Sequence, residues 1–320
     1  MLKSIFVLFL LTLSTTTAAS SKKIVTIGTL AYRGIDQAHQ RWDKTVEYLQ
    51  YQHPKFKFVL LPLSLDQIED SVNNNELNFL LGNPGLYYTL RHKGLSPVSS
   101  LVNKRNNRGY DQFGAIIFTR SDRQDINSLN DLKGKRFGAV SPKAFGGFQM
   151  AWREFKSKKI DPFTDFKELK FIGIPMDKIV HLVEAGKLDA GTVRTDLLER
   201  MQEKGLIKMS DFKVINAQHF EDFPFQVSTR LYPDWIFSST QNTSNKFSSM
   251  VRQSLLEIKA DHPAAIAGHY IGWTHQNRME ELLSLSLEEL VEVDATNEHF
   301  ISIEQMMKEL KIGPYKAFDE

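Results

Sequence analysis

An α/β protein built as two lobes around a cleft is the fold class this sequence predicts. Three observations carry that expectation. Strand-like and helix-like segments alternate from residue 23 to about residue 198, and the alternation runs through two separate rounds. Two extended segments, near 116–120 and 226–230, lie where the chain would cross between the rounds, which leaves the first lobe discontinuous.

In the first round, residues 24–28 form a short apolar run, and residues 35–51 carry Ala38, Trp42, Val46 and Leu49 at helical spacing. Residues 56–61 again suggest a strand and 64–73 a helix. Residues 77–81 form a third strand, stopped by Gly82-Asn83-Pro84-Gly85 before a helix over 86–91. The second round opens with a long strand-like stretch at 109–120 and a turn at 131–135 into the apolar run 137–140. It continues as a helix at 145–155, a strand at 170–174, a helix at 176–185, a strand at 188–193 and a helix at 195–203. Beyond an extended 226–231 the chain reads as mostly helical, with Phe247, Met250, Val251, Leu255 and Ile258 in one apolar stripe. The expected layout is lobe 1 from residues 20–117 and 228–320, and lobe 2 from residues 118–227.

Residues 1–19 have the layout of a cleavable secretory signal: Lys3, an apolar run over 5–13, and Thr17-Ala18-Ala19 at the cleavage positions. The apolar run is far shorter than the roughly 20 residues a spanning helix needs, so no membrane insertion is expected once the signal is removed. The 320 residues are 42% hydrophobic, enough for two cores and against global disorder. Forty Lys and Arg against 38 Asp and Glu give a net charge of +2 without a basic stripe, which argues against a nucleic-acid partner. Cysteine is absent, which excludes disulfides, thiolate metal sites, a cysteine nucleophile and a lipid-modified N-terminal cysteine. An exported chain of this size without disulfides fits a bacterial periplasm.

The strongest local candidate for chemistry is residues 141–148 (SPKAFGGF), a segment between a strand and a helix. Backbone N–H groups at a helix start bind anions, Gly146 and Gly147 permit close approach, and Lys143 adds charge. An ordinary strand-to-helix turn, with glycine serving backbone geometry, is the competing reading. Three further segments sit at strand ends, where open α/β sheets bind ligands: residues 30–34 with Tyr32 and Arg33, residues 82–87 with Asn83 and Tyr87, and residues 193–196 with Arg194 and Thr195. Arg33 and Arg194 suit bidentate pairing with an acidic ligand, although an Arg at a helix start also serves structural ion pairs. Ser228, Thr229 and Arg230 lie in the second crossing. An enzyme is not expected, because the G-x-S-x-G, H-E-x-x-H, G-x-x-x-x-G-K and G-x-G-x-x-G patterns are all missing. His262, His269 and His275 are not spaced as a helical metal pair, and no metal or other cofactor is expected.

Several segments, in order along the chain, resemble the periplasmic binding proteins of the phosphate, phosphite and phosphonate type, and most closely the branch that serves as input domains of sensor kinases such as tetrathionate sensors. They are residues 27–34 (IGTLAYRG), 81–87 (LGNPGLY), 109–119, 131–137 (DLKGKRF), 144–152 (AFGGFQMAW), 161–166 (DPFTDF), 188–195 (LDAGTVRT), 228–233 (STRLYP) and 269–273 (HYIGW). The resemblance implies a type II periplasmic-binding fold, with a hinge of two crossover segments and a small anion held between the lobes. It also implies a cleft lined by Tyr32, Arg33, Asn83, Tyr87, Lys143, Phe145, Gly146, Gly147, Arg194, Thr195, Ser228, Thr229 and Arg230. The turn of this chain departs from the family's serine- and threonine-rich turn, which leaves room for a sulfur oxyanion or a partly apolar molecule in place of phosphonate. The expected protein is a monomeric periplasmic solute-binding protein that delivers its ligand to an ABC-type membrane permease. The alternative is a stand-alone sensory protein that signals to a separate histidine kinase, and a secreted enzyme is the remote one.

Overall fold

The computed structural model describes residues 22–275, 278–279 and 303–312; the expected signal segment lies outside them. The first round folds as read. Strand β1 (Lys23–Leu30) leads into α1 (Ile35–Gln52), β2 (Phe56–Leu63), α2 (Leu65–Asn73), β3 (Phe79–Gly82) and α3 (Pro84–Leu90). Local chemistry sets the helix starts. Ser64 and Gln67 close a capping box on α2, with Ser64 Oγ accepting from the Gln67 N–H at 3.3 Å and Gln67 Oε1 accepting from the Ser64 N–H at 2.9 Å. Asn83 caps α3, and Pro84 occupies its first turn, where no N–H is needed.

Strand β4 (Ser96–Arg105), the hairpin strand β5 (Arg108–Tyr110), the short β6 (Gln112–Phe113) and β7 (Ala115–Arg120) come next. The second round holds β8 (Arg136–Ala139), a π-helical turn (Phe145–Gln149), α4 (Met150–Ser157), β9 (Glu168–Phe171), α5 (Asp177–Glu184), β10 (Ala190–Arg194) and α6 (Leu197–Glu203). Strands β11 (Phe212–Ile215), β12 (Gln218–Phe220) and β13 (Phe223–Val227) close it. The chain then returns through β14 (Tyr232–Pro233), β15 (Ile236–Ser239), α7 (Asn245–Glu257), α8 (Pro263–Gly268) and β16 (Tyr270–Trp273).

Two main sheets result. The first runs β16-β4-β15-β3-β1-β2, with β5 paired to β4, and the second runs β11-β7-β10-β8-β9. The 109–120 stretch is therefore not one strand. It breaks at Gly114, and β7 lies between β11 and β10 in the second sheet, so the first crossing falls at 111–114 and not at 116–120. The return crossing pairs with it: β14 is antiparallel to β6, the Ser228 N–H donates to Ala115 O at 2.9 Å, and the Asp234 N–H donates to Asp111 O at 2.7 Å.

Each sheet buries its own core. In the first, Trp42 of α1 stacks against Trp235 and Tyr270 at 6.1 and 6.2 Å. In the second, Phe137 packs edge-on against Phe155 at 5.3 Å, and Phe118 against Phe212 at 5.7 Å. A third cluster joins the lobes. Phe145, Met150 and Tyr232 meet Tyr88 there, together with Met306, Met307 and Leu310 of the helix Ile303–Leu310.

Candidate functional site

The β1–α1 junction, the first half of α1, the end of β4 and one face of α6 face one another across a cavity of about 470 Å³. The first three belong to the first lobe and α6 to the second, so the cavity is an interlobe cleft. Its wall carries Arg33, Arg41, Lys104, Arg105, Arg200 and Lys204 against Asp196, Glu199 and Glu203, an excess of positive charge.

Arg41 is the most constrained of these groups. Its Nε donates to Gly268 O at 3.1 Å, one terminal nitrogen to Tyr32 OH at 3.1 Å and the other to Asn103 Oδ1 at 3.0 Å. Its guanidinium carbon lies 4.6 Å from the Trp42 ring centre and 5.6 Å from that of Trp235. All three hydrogen-bond partners are neutral acceptors. Burial lowers the Arg41 pKa, partly offset by the Tyr32 phenol and the Asp234 carboxylate, and Arg194 and Arg33 lower it further. A half-buried cation whose hydrogen-bond partners are all neutral suits an anion.

Arg105 and Arg200 instead share an internal counter-charge. Asp196, 4% exposed and in the left-handed backbone region at φ 70°, pairs with Arg105 across the cleft and with Arg200 at 3.2 Å on its own helix. Burial, with Arg194 and Arg200 close by, lowers the Arg105 pKa. Burial also lowers that of His269 on the cavity wall, with Arg41 and Arg105 adding to the effect.

Tyr32 reports the same field. Burial raises its pKa, but Arg41, Arg33, Arg194 and Arg200 outweigh burial and bring it down to about 8. A phenol whose folded pKa lies below its unfolded value of about 10 contributes stability that is present above pH 10 and lost as pH falls through 8. Ligand-free stability should therefore gain from Tyr32 between pH 8 and 10. Over the same interval the tyrosinate repels an incoming anion, so affinity measured by calorimetry should fall. Tyr32→Phe should remove the part of that fall that begins near pH 8.

Tyr32 and Arg33 are the residues of the expected set that line the main cavity. Arg194 and Thr195 line a void of about 10 Å³ behind it, which shares Arg105, Asp196 and Phe225 with the cavity. Arg194 donates to Asp234 at 2.7 Å and lies 4.1 Å over the Phe113 ring. The Thr195 hydroxyl accepts from the Gly114 N–H at 3.2 Å. Ser228 and Thr229 accept from the backbone N–H groups of Ile117 and Ala115 at 2.8 and 2.9 Å, so both hydroxyls bind the paired crossings. Arg230 is half-buried near Arg153 and Glu154. Asn83 is occupied as the α3 cap, and the Tyr87 ring packs edge-on against Tyr88 at 5.2 Å.

The 141–148 segment is built for packing. Phe145 is 2% exposed and meets Phe113 and Tyr232 edge-on at 6.1 and 5.3 Å. A Cβ on Gly146 would come 2.9 Å from the Phe113 ring and one on Gly147 2.5 Å from Val140 Cγ2, so both glycines let aromatic and aliphatic side chains close on the turn. Lys143 is exposed and pairs with Asp66 at 2.7 Å. Lys143→Ala is expected to leave anion affinity unchanged and to cost at most about 1 kcal/mol in a denaturation experiment, as for other exposed pairs.

Sequence reasoning missed Arg41, Arg105 and Arg200. For Arg41 a signal existed, because it adjoins the α1 stripe of Ala38, Trp42, Thr45 and Leu49, where a cation is held beside a core. Among the described residues no group of three or more acidic, His or Cys side chains could hold a metal, and no helix is long and apolar enough to cross a membrane.

Two α/β lobes joined by paired crossings, with a cationic cleft between them, define the solute-binding class of the type II periplasmic fold. Residues 27–294 match the family of periplasmic substrate-binding proteins of phosphonate ABC transporters, and the chain belongs to that family. It is 31% identical over 259 residues to the tetrathionate sensor histidine kinase TtrS of Salmonella typhimurium, covering 80% of this chain and 43% of that protein's length. Among solved structures, PhnD1 from Prochlorococcus marinus in complex with methylphosphonate superposes with a TM-score of 0.63 at 14% identity, covering 90% of this chain and 98% of that one. XAC2383 from Xanthomonas citri bound to ATP superposes with a TM-score of 0.65 at 15% identity, covering 82% and 96%. At these identities the two structures establish the fold.

Proposed function

We propose that this chain is an exported, monomeric solute-binding protein that captures a small anion, phosphonate-like or a sulfur oxyanion, between its lobes. The observation that carries the reading is Arg41, a half-buried guanidinium on the cleft wall whose hydrogen-bond partners are all neutral. An anion seated on Arg41 and Arg33 of the first lobe also meets Arg200 of the second. It therefore binds the closed arrangement better than an open one and shifts the population toward closure, with the paired crossings as the hinge. Arg194 takes part from behind the cleft, and Ser228, Thr229 and Thr195 hold the crossings on which closure turns, with Arg230 beside them. Delivery of the closed form to a membrane permease is the first reading of its use.

The identity to a sensor kinase, about twice that to the phosphonate-binding structures, favours a second reading in which a histidine kinase reads the closed form. A thermal-shift panel of the purified protein against phosphate, phosphite, methylphosphonate, sulfate, thiosulfate and tetrathionate tests the capture step. An anion at 100 times its Kd adds about 2.7 kcal/mol of stability, a shift of several degrees. A panel in which none of these raises Tm would overturn the reading. The two uses then separate by whether the loaded protein binds detergent-solubilised permease or kinase.

A further inference from the structure

The void of about 10 Å³ behind the cleft takes its wall from both lobes: Asn103 and Arg105 of β4 in the first, Arg194 and Asp196 in the second, and Asp234 of the return crossing. Three of these side chains carry a buried polar atom without a hydrogen-bond partner among the described residues: Asn103 Nδ2, Arg194 Nε and Asp196 Oδ1. Their other ends are committed. Asn103, 2% exposed, turns its Oδ1 to Arg41 at 3.0 Å, so its amide nitrogen points the other way. Arg194 donates a terminal N–H to Asp234 at 2.7 Å, and the second carboxylate oxygen of Asp196 accepts from Arg105. Asp196 Oδ1 lies 3.2 Å from Arg200, an ion contact without hydrogen-bond geometry. Three such atoms left unpaired inside a protein are costly.

We propose that one water molecule binds in this void and bridges the two lobes. A buried water needs roughly 10–15 Å³ of such space and makes about three hydrogen bonds. Here it accepts from Asn103 Nδ2 and Arg194 Nε and donates to Asp196 Oδ1. Size excludes a polyatomic ion. Charge argues against a monatomic one, because Arg105 and Arg194 are already balanced by Asp196 and Asp234, and an unbalanced ion is expensive to bury. The water completes a path from Arg41 through Asn103 to Arg194 and Asp196 of the opposite lobe. Parting β4 from the start of α6 strips it of its partners on one side, so it belongs to the arrangement in which Arg105 pairs with Asp196. The assignment stands on the void and its polar atoms, independently of the anion on Arg41.

The test is crystallography of the wild-type protein, grown with and without sulfate and soaked in sodium bromide, with diffraction recorded at the bromine absorption edge. Wherever Arg105 pairs with Asp196, one fully occupied peak without anomalous signal should lie about 2.7–3.2 Å from Asn103 Nδ2, Arg194 Nε and Asp196 Oδ1. Asn103→Leu, close in volume and without the amide, should lose the peak. A bromine peak at this position would make it a halide site and overturn the assignment. No density there, with the three side chains closed on one another, would overturn it too, as would crystals of which none joins Arg105 to Asp196. A water that persists in Asn103→Leu would belong to the second lobe alone and overturn the bridge; if that variant does not fold, the wild-type crystals decide. An anion panel that raises no Tm, with the water in place, overturns the capture reading and leaves this assignment standing.

Discussion

Replacing Arg41 with Met should weaken anion binding by about 2–5 kcal/mol, a 30-fold to several-thousand-fold loss, while the ligand-free Tm stays level or rises. Methionine keeps an apolar stem against Trp42 and Trp235 and removes the charge. The two effects separate for a physical reason. In the ligand-free protein the Arg41 guanidinium is half-buried against neutral acceptors, and its desolvation lowers its pKa, so removing the charge relieves that cost. In the complex the same charge faces the ligand. Calorimetry and thermal denaturation of one variant read both effects. Retained affinity, or a collapsed Tm with affinity intact, would make Arg41 a structural residue.

Asp234→Ala should show the opposite pattern, with a loss of about 3–5 kcal/mol of stability. Asp234 is 1% exposed, accepts from Arg194 at 2.7 Å and from the Trp235 N–H at 2.7 Å, and sits where the return crossing meets the first. Truncating it strands the Arg194 guanidinium, whose side chain is 15% exposed, over the Phe113 ring. The Tm should fall by on the order of 10 °C. The double variant Arg194→Met with Asp234→Leu should recover most of that loss, because an apolar pair of similar volume replaces a buried ion pair without stranding a charge. Full stability in Asp234→Ala with loss of anion binding would instead make the pair part of the ligand contacts.

The elements legible in the sequence are those with one buried face. Helix α1 announces itself through Ala38, Trp42 and Leu49, and β1 and β2 through short apolar runs between turn residues. Strand β4 escaped because it is central to the first sheet yet carries Ser99 and Ser100, both buried. Their polarity is satisfied across the sheet: Ser99 Oγ donates to Thr274 O at 2.8 Å, and the Ser100 N–H donates to Thr274 Oγ1 at 2.9 Å. Strand β15 hides Ser238 and Ser239 in the same way, so the region after residue 231 read as more helical than it is.

The candidate site follows the same logic. Tyr32 and Arg33 are marked by their place at the end of β1. Arg105 lies at the end of the unread β4, and Arg200 one turn into α6, where an exposed ion pair is the ordinary expectation. The 141–147 turn looked like an anion cradle because glycines that admit a neighbouring side chain and glycines that admit a ligand are the same letters. Only the position of Phe113 and Val140 tells them apart.

The most direct measurement is a crystal structure of the protein soaked at saturating selenate, with diffraction recorded at the selenium absorption edge. The anomalous peak should lie in the interlobe cleft, within hydrogen-bond reach of the Arg41 guanidinium and facing Arg33 and Arg200. A selenium peak at the 141–147 turn, with the cleft empty of signal, would contradict the account.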